Sequence, residues 1–153
     1  MPQTEVIAPL ELIVNRTVNA PRERVFRAWT EAAELDNWFS PDPDYKVKSS
    51  VDLRVGGSYR IEMHKPDGQV FGAFGVYRQI VPPERLVFTW NGINCGDTVV
   101  EDTLVTVEFF EADDRTQVTL THQNFQTPEM RGRHEHGWKG CFDHLESVLG
   151  SKN

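Results

Sequence analysis

The sequence predicts an α+β protein in which a curved, seven-stranded antiparallel sheet packs against one long C-terminal helix, with two short helices after the first strand. Three observations lead to this prediction. Apolar residues recur with helical spacing near both ends of the chain, they alternate with a period of two between about residues 45 and 125, and turn-forming residues divide that middle region. The long helix is the only predicted element large enough to cover the apolar face of such a sheet.

The first strand and the two short helices come first in the chain. Residues 10–18 mix β-branched and apolar side chains, which favours a strand. Asn19 is a candidate helix cap, and Pro21 suits a first helical turn because an N–H group there would have no partner. A second short helix is predicted from Glu31. It ends before Pro41, because the residue that precedes a proline avoids helical geometry.

The middle of the chain is predicted to form six further strands. Their expected ranges are 45–52, 57–64, 70–80, 85–90, 103–111 and 115–124. Because short turns join antiparallel neighbours, we expect consecutive strands to pair as a meander. In the last of these strands Val118, Leu120 and His122 share one face. Gly72 and Gly75 lie inside one strand, where glycine permits a bend, and they predict that the sheet is curved.

The last helix is predicted over residues 128–149, with Thr127 as its cap. At about 100° per residue, one apolar stripe carries Met130, Trp138, Cys141, Phe142, Leu145, Val148 and Leu149. Near the start of the helix the same stripe carries Arg131, His134 and Glu135. This gradient predicts a polar mouth beside a hydrophobic floor. Alternatively, the start of the helix extends into water beyond the edge of the sheet.

Composition and charge exclude several classes of protein. The chain has 153 residues, of which 39% are hydrophobic, and two cysteines, so it is neither disordered nor a disulfide scaffold. Its net charge of −7, without a basic cluster, argues against a nucleic-acid partner. No apolar run approaches the roughly 18–20 residues of a membrane span, and the N-terminus does not resemble a signal peptide. Cys95 and Cys141 lack metal-type spacing. We expect one cytoplasmic domain over residues 1–153, with a flexible N-terminus at 1–9.

Several motifs occur in one order along the chain. They are Asn19-Ala20-Pro21 with Val25 and Trp29, Leu35 with Trp38-Phe39, Gly56-Gly57, the run from Ile80 to Trp90 that contains Pro82-Pro83-Glu84-Arg85-Leu86, Thr119-Leu120-Thr121-His122, and His134 with Gly137-Trp138. This set resembles the family named for the C-terminal domain of the activator of Hsp90 ATPase, within the START-like, Bet v 1-like group. The resemblance extends from about Leu12 to Leu149.

The resemblance implies a helix-grip fold, a single START-like domain in which a curved antiparallel sheet grips the C-terminal helix and leaves a cavity between them. It implies no single activity, because the members and relatives of the family include lipid carriers, polyketide cyclases, stress proteins and co-chaperones. Function therefore has to be argued from the residues of the site.

The candidate ligand-binding residues are mostly aromatic side chains that would line the cavity, with a few polar groups that would orient a ligand. They are Trp29, Trp38, Phe39, Phe74, Tyr77, Trp90, His122, Arg131, His134, Trp138 and Phe142. Alternatively, the aromatic residues are ordinary core, and the two histidines satisfy buried backbone groups.

No catalytic constellation, cofactor site or metal site is predicted. His134 and His136 are two residues apart on a helix, so they point to different sides of it. Cys141 lies on the apolar stripe, which would raise the pKa of its thiol instead of activating it.

Three functions are consistent with these patterns. The first is a binding protein for an apolar or amphipathic small molecule, such as a lipid, an aromatic compound or a polyketide-like compound, whose polar end Arg131, His134 and His122 would orient. The second is a cyclase- or hydrolase-type enzyme with one of these histidines as the general acid or base. The third is a stress-related module that binds an Hsp90-type chaperone. We expect a monomer or a homodimer.

Overall fold

The secondary structure follows the predicted order of elements. The computed structural model describes residues 10–94 and 100–150, so the predicted flexible segment 1–9 and Cys95 lie outside the described residues. In chain order the elements are β1 (Leu10–Val18), α1 (Arg22–Thr30), α2 (Ala32–Trp38), β2 (Lys46–Val51), β3 (Ser58–His64), β4 (Val70–Val81), β5 (Arg85–Ile93), β6 (Thr103–Ala112), β7 (Arg115–Phe125) and α3 (Pro128–Gly150). The α+β, helix-grip class is confirmed.

Within the described ranges, the seven strands form one antiparallel sheet in the order β1-β7-β6-β5-β4-β3-β2. The strands from β2 to β7 pair with their neighbours in sequence, which confirms the predicted meander. β1 pairs with β7, so β1 and β2 lie at opposite edges of the sheet. The helices α1 and α2 connect these two edges, and they contact β6 and β2 respectively.

Two glycines of β4 permit the strands to approach closely where the sheet curves. A Cβ atom on Gly72 would lie 1.9 Å from the carbonyl oxygen of Ile61 in β3. A Cβ atom on Gly75 would lie 2.1 Å from the carbonyl oxygen of Thr89 in β5. The ladder between β4 and β5 also shifts its register, and glycine together with such an irregularity bends a strand. The predicted curvature therefore has its cause in β4.

The inward faces of β6 and β7 form the centre of the core. Val105, Val107, Val118 and Leu120 are completely buried, and Phe109 is nearly so. Each such side chain contributes about 1.5–3 kcal/mol to folding through the apolar area that it removes from water. The alternation predicted for these strands is confirmed.

A cluster of aromatic rings fills the space below the middle of α3. Trp29 of α1 lies 4.8 Å from Trp38 of α2 and 5.8 Å from Phe142 of α3, measured between ring centroids. All three side chains are buried. Aromatic pairs in such tilted or edge-on arrangements contribute about 0.5–1.5 kcal/mol beyond the area that they bury. This part of the interior is solid core.

The two predicted helix caps have different outcomes. The hydroxyl oxygen of Thr127 accepts a hydrogen bond from the backbone N–H of Met130 at 3.1 Å, which confirms Thr127 as the cap of α3. The prediction for Asn19 is wrong, because Pro21 occupies the cap position of α1 and no side chain caps that helix. Proline fits there because its ring restricts its backbone angle φ and because it has no backbone N–H that would need a hydrogen-bond partner.

The apolar stripe of α3 faces the interior except at its margin. Its buried members are Met130, Trp138, Cys141, Phe142 and Leu145. Leu149 packs partly against the core, whereas Val148 is 40% exposed, so its predicted place in the stripe is wrong. Val148 lies about 80° from Trp138 around the helix axis, at the edge of the stripe, where the side chain meets solvent.

The second half of α3 is fixed to the edge of the sheet. The guanidinium of Arg16 in β1 pairs with Asp143 at 2.8 Å and with Glu146 at 2.7 Å. α3 packs mainly against β1, with further contacts to β7 and α2. Because the helix lies towards this edge, a space remains between its first half and the strands on the other side of the sheet.

Candidate functional site

A cleft of about 800 Å³ lies between the first half of α3 and the inner face of β3, β4 and β5. The loop after α2 closes one side of it with Phe39, Pro41 and Tyr45. Met63 of β3 and Phe71 of β4 are register partners in the sheet, and both line the cleft. The sheet, the helix and this loop thus each contribute one wall.

The hairpin between β3 and β4 forms the rim of the cleft. Lys65 and Gln69 flank its turn, and both line the cleft. The N–H of Lys65 donates to the carbonyl of Gln69 at 2.8 Å, and the N–H of Gly68 donates to the carbonyl of Lys65 at 3.0 Å. Gly68 has a φ angle of 95°, which glycine adopts without strain. The turn therefore holds its two flanking side chains at the rim.

One face of α3 forms the helical wall of the cleft. Along this wall, apolar side chains occur together with a polar side chain and a glycine. Met130, His134, Trp138 and Cys141 line the cleft at helical spacing. Gly137 also lines it, and a Cβ atom added there would meet no atom within 4 Å. The lack of a side chain at Gly137 leaves open space beside the imidazole of His134 and the indole of Trp138. Burial raises the pKa of the Cys141 thiol, so this thiol stays protonated.

His134 joins the helical wall to the sheet. The indole N–H of Trp90 in β5 donates to Nε2 of His134 at 3.2 Å. The other ring nitrogen, Nδ1, lies 2.9 Å from the carbonyl oxygen of Met130, which can only accept a hydrogen bond. The imidazole is therefore neutral, with its proton on Nδ1. Burial lowers its pKa, the Met130 carbonyl raises it, and the positive charge of Arg133 lowers it further.

His122 makes a second, completely buried connection of the same kind. The indole N–H of Trp138 donates to Nδ1 of His122 at 3.0 Å. Nε2 lies 2.8 Å from the hydroxyl oxygen of Thr103, whose own proton is donated to the carbonyl of Trp90 at 2.7 Å. Nε2 therefore carries the proton, and this N–H donates a hydrogen bond to the hydroxyl oxygen of Thr103. Burial lowers the pKa of His122 well below its usual range, and the neighbouring His134 lowers it further.

These hydrogen bonds engage both ring nitrogens of both histidines. Each imidazole accepts from one tryptophan, and the two rings are 5.2 Å apart between centroids. Neither ring keeps a free lone pair with which to take a proton from a molecule in the cleft. The arrangement instead fixes the indoles of Trp90 and Trp138, which present their rings to the cleft.

The structure brings four of the predicted site residues together at the cleft and places the others elsewhere. Phe39, Trp90, His134 and Trp138 line it. Trp29, Trp38 and Phe142 belong to the aromatic cluster of the core, and His122 lies behind Trp138.

The three remaining predicted residues lie away from the cleft wall. Tyr77 is buried against Tyr59 and Phe88, and burial raises its pKa to about 12. Phe74 is 43% exposed on the opposite face of the sheet from its buried neighbours. Arg131 is half-buried on α3 and does not line the cleft.

Sequence reasoning missed the rim residues and, in the loop after α2, Pro41 and Tyr45. Lys65 and Gln69 directly flank the turn that Pro66-Asp67-Gly68 predicts, so their place at a hairpin end was available from the sequence. Which hairpin end meets the start of α3 depends on the order of strands in the sheet. Tyr45 carried no comparable signal, because it lies between two prolines and a strand.

The comparisons with known proteins agree with this fold. Residues 19–150 match the family described as activator of Hsp90 ATPase homolog 1-like protein. The chain belongs to this family. The resemblance drawn from the sequence motifs is thereby confirmed, together with the START-like, Bet v 1-like fold that it implied.

Solved structures of similar proteins share the fold of this activator of Hsp90 ATPase homolog 1-like chain. A protein from Chromobacterium violaceum has a TM-score of 0.79 and is 24% identical, over 94% of this chain and 100% of that chain. A protein from Nitrosomonas europaea has a TM-score of 0.75 and is 28% identical, over 92% and 94%. The AHSA1-like protein from Aeromonas hydrophila has a TM-score of 0.75 and is 23% identical, over 92% of both chains. A search of curated proteins found no match.

Two further features of this family member bear on its partners. In residues 10–94 and 100–150, no group of three or more His, Cys, Asp or Glu side chains is arranged to hold a metal ion. No helix in the same ranges is long and apolar enough to cross a membrane.

Proposed function

We propose that this protein binds an apolar or amphipathic small molecule, such as a lipid, an aromatic compound or a polyketide-like compound, in the cleft between sheet and helix. The cleft itself carries the proposal: its volume of about 800 Å³ falls within the roughly 300–1,000 Å³ of small-molecule sites. Phe39, Trp90 and Trp138 supply aromatic surface to it. We place this binding protein in the cytoplasm, as a monomer or a homodimer.

The fixed orientation of the walls supports binding. The indoles of Trp90 and Trp138 are each held by a hydrogen bond to a buried or half-buried imidazole. A side chain that is already held in place loses little conformational entropy when a ligand contacts it, and this increases the net affinity. The apolar area of the ligand supplies the main favourable free energy.

The same hydrogen bonds favour binding over the cyclase- or hydrolase-type alternative. A general acid or base needs a ring nitrogen within hydrogen-bond reach of the substrate. All four ring nitrogens of His122 and His134 already have protein partners. The thiol of Cys141 is protonated, because burial raises its pKa, and is therefore a poor nucleophile.

The test blocks the cleft with a side chain and compares the result with a matched variant outside it. A Cβ atom at Gly137 or at Gly132 meets no atom within 4 Å, so both positions have room for a side chain to leave the helix. Only Gly137 lines the cleft. We expect delipidated protein to bind the neutral dye Nile red with a rise in fluorescence. Gly132→Leu should keep the affinity of the original protein, and Gly137→Leu should weaken it by about tenfold or more, which corresponds to roughly 1.4 kcal/mol.

Thermal unfolding of both variants controls for loss of structure. Both should unfold at or above the temperature of the original protein, because leucine is a better helix former than glycine. Equal Nile red binding by the two folded variants would contradict the proposed location of the ligand. An absence of binding by the delipidated original protein, together with no bound species in native mass spectrometry before delipidation, would remove the binding function.

The family description supports a second candidate, a module that binds a chaperone, because it names an activator of Hsp90 ATPase. The discriminating experiment is a pull-down with the Hsp90-type chaperone of the same cell at tens of micromolar. Retention of the chaperone would support this candidate. No retention, with the Nile red result as expected, would leave small-molecule binding as the function.

A further inference from the structure

Among the residues that the structure describes, the charged side chains that line the cleft carry the same sign. Among the described lining residues, Lys65 and Arg133 are cationic and none is a carboxylate. The chain as a whole has a net charge of −7, so the charge in the cleft has the opposite sign to the net charge of the protein. A concave site with one sign of charge and low-dielectric walls raises the local concentration of ligands of the opposite sign.

Lys65 places its ammonium group between two aromatic rings at the rim. Nζ lies 5.3 Å from the ring centroid of Phe71 and 6.0 Å from that of Tyr45, and the two rings are in edge-to-face contact. Cation–π contacts of this kind contribute about 0.5–1 kcal/mol at partly exposed sites. The ammonium group is therefore held at the rim.

The hydrogen-bond partners of this ammonium group leave room for an acceptor. Its neighbour in the turn, Gln69, accepts a hydrogen bond from Nζ at 3.4 Å through Oε1, a neutral oxygen. In the part of the chain that the structure describes, no carboxylate pairs with Lys65. An ammonium group has three N–H donors, so donors remain for an oxygen of a bound molecule.

The interior of the cleft, beyond the ammonium group of Lys65 at the rim, is apolar. Met63 and Met130 line the cleft and are 4% and 2% exposed. Their thioethers adapt to irregular apolar shapes. The cleft therefore combines a buried, adaptable apolar depth with a held positive charge at the rim.

We infer that the ligand of the cleft is an amphipathic anion, with an apolar tail in the depth and a carboxylate or similar anionic head group bound by Lys65. This inference rests on the proposed function and specifies the chemical class of its ligand. Arg133 adds positive charge to the same cleft.

The experiment compares three probes that share one tail and differ in the charge of the head group. They are dodecanoate, dodecan-1-ol and dodecyltrimethylammonium, each used below its micelle concentration at pH 8 in titration calorimetry. We expect dodecanoate to bind about fivefold or more tightly than the alcohol at low salt, and the cation to bind most weakly. The preference for the anion should shrink at high salt, because salt screens a partly exposed charge.

Three variants test whether Lys65 causes the preference for the anion. Lys65→Met keeps most of the unbranched side chain without its charge and should bring the affinity for dodecanoate close to that for the alcohol. Lys48→Met removes an exposed charge on β2 outside the cleft and should keep the preference. Lys65→Arg should restore most of it.

The outcomes separate the two levels of the proposal. If the alcohol and the anion bind equally and Lys65→Met changes neither, the charge assignment is overturned while the binding function stands. A preference for the anion that survives Lys65→Met overturns the assignment to Lys65. If no probe binds to the original protein and Nile red also fails, the proposed function itself falls.

Discussion

The buried hydrogen bonds of His122 make stability depend on pH in a predictable direction. In the folded protein this imidazole is neutral, because it accepts from Trp138 and donates to Thr103 inside the core, and its pKa lies well below the usual range. In the unfolded chain a histidine has a pKa of about 6.5. Below this pH the unfolded state takes up a proton that the folded state does not. The stabilisation is therefore complete above pH 6.5 and is lost as the pH falls.

The magnitude follows from the number of protons. For each proton that only the unfolded state binds, the free energy of unfolding falls by about 1.4 kcal/mol when the pH is lowered by one unit. The informative window is pH 6.5 to 5.5, because unfolded Asp and Glu titrate near pH 4. His134, whose pKa is also lowered by burial, adds to the effect in the same direction.

Urea unfolding at several pH values tests this reasoning with two variants. His122→Gln keeps a donor towards Thr103 and removes the titrating ring, so it should reduce the pH slope by roughly 0.5 proton at pH 6.5 and roughly 0.9 proton at pH 5.5. His136→Gln changes an exposed histidine on the same helix as His134 and should keep the slope. A free energy of unfolding that stays constant or rises between pH 6.5 and 5.5, or an unchanged slope in His122→Gln, would refute the assignment of a neutral, buried imidazole.

Further predictions concern two glycines of α3 and two buried indoles, and urea unfolding checks each of them. Gly132→Ala should stabilise the protein by about 0.5–1 kcal/mol, because its Cβ meets no atom and helix propensity improves. Gly140→Ala should destabilise it by about 1–3 kcal/mol, because its Cβ would lie 2.7 Å from a backbone oxygen of the loop after α2; equal effects of the two changes would contradict this close approach. Trp138→Phe should cost about 1–3 kcal/mol more than Trp29→Phe, because it leaves a ring nitrogen of His122 without a donor, whereas the indole N–H of Trp29 has no hydrogen-bond partner among the described residues. Equal costs would show that the indole N–H of Trp138 contributes nothing.

Most of the fold could be predicted because its signals are local. Alternation, turn residues and helical spacing each report on a few neighbouring residues, and they placed the ends of the strands and of the long helix within about three residues. The position of β1 beside β7 needed the tertiary structure, because no local pattern selects a partner across more than a hundred residues. Asn19 and Val148 departed from prediction for local reasons, namely a proline that takes the cap position and a side chain at the margin of a stripe.

The site was harder to predict because its geometry depends on long-range pairs. The spacing of residues placed His134 and Trp138 on one helix face, but it did not show that each would join a tryptophan–histidine hydrogen bond with β5 or β7. The sequence equally did not distinguish which aromatic residues fill the core and which line a space. Trp29 and Trp90 were both predicted to line the cavity, yet Trp29 is packed among other rings and Trp90 lines the cleft.

Two buried methionines report directly on whether a ligand enters the space between α3 and the sheet. Met63 and Met130 stand on opposite walls, one in β3 and one in α3. In protein with ¹³C-labelled methionine methyl groups, titration with dodecanoate should shift the NMR signals of both together, with one shared dissociation constant that matches calorimetry. Calorimetric binding without movement of either signal would place the ligand elsewhere and contradict binding in the cleft.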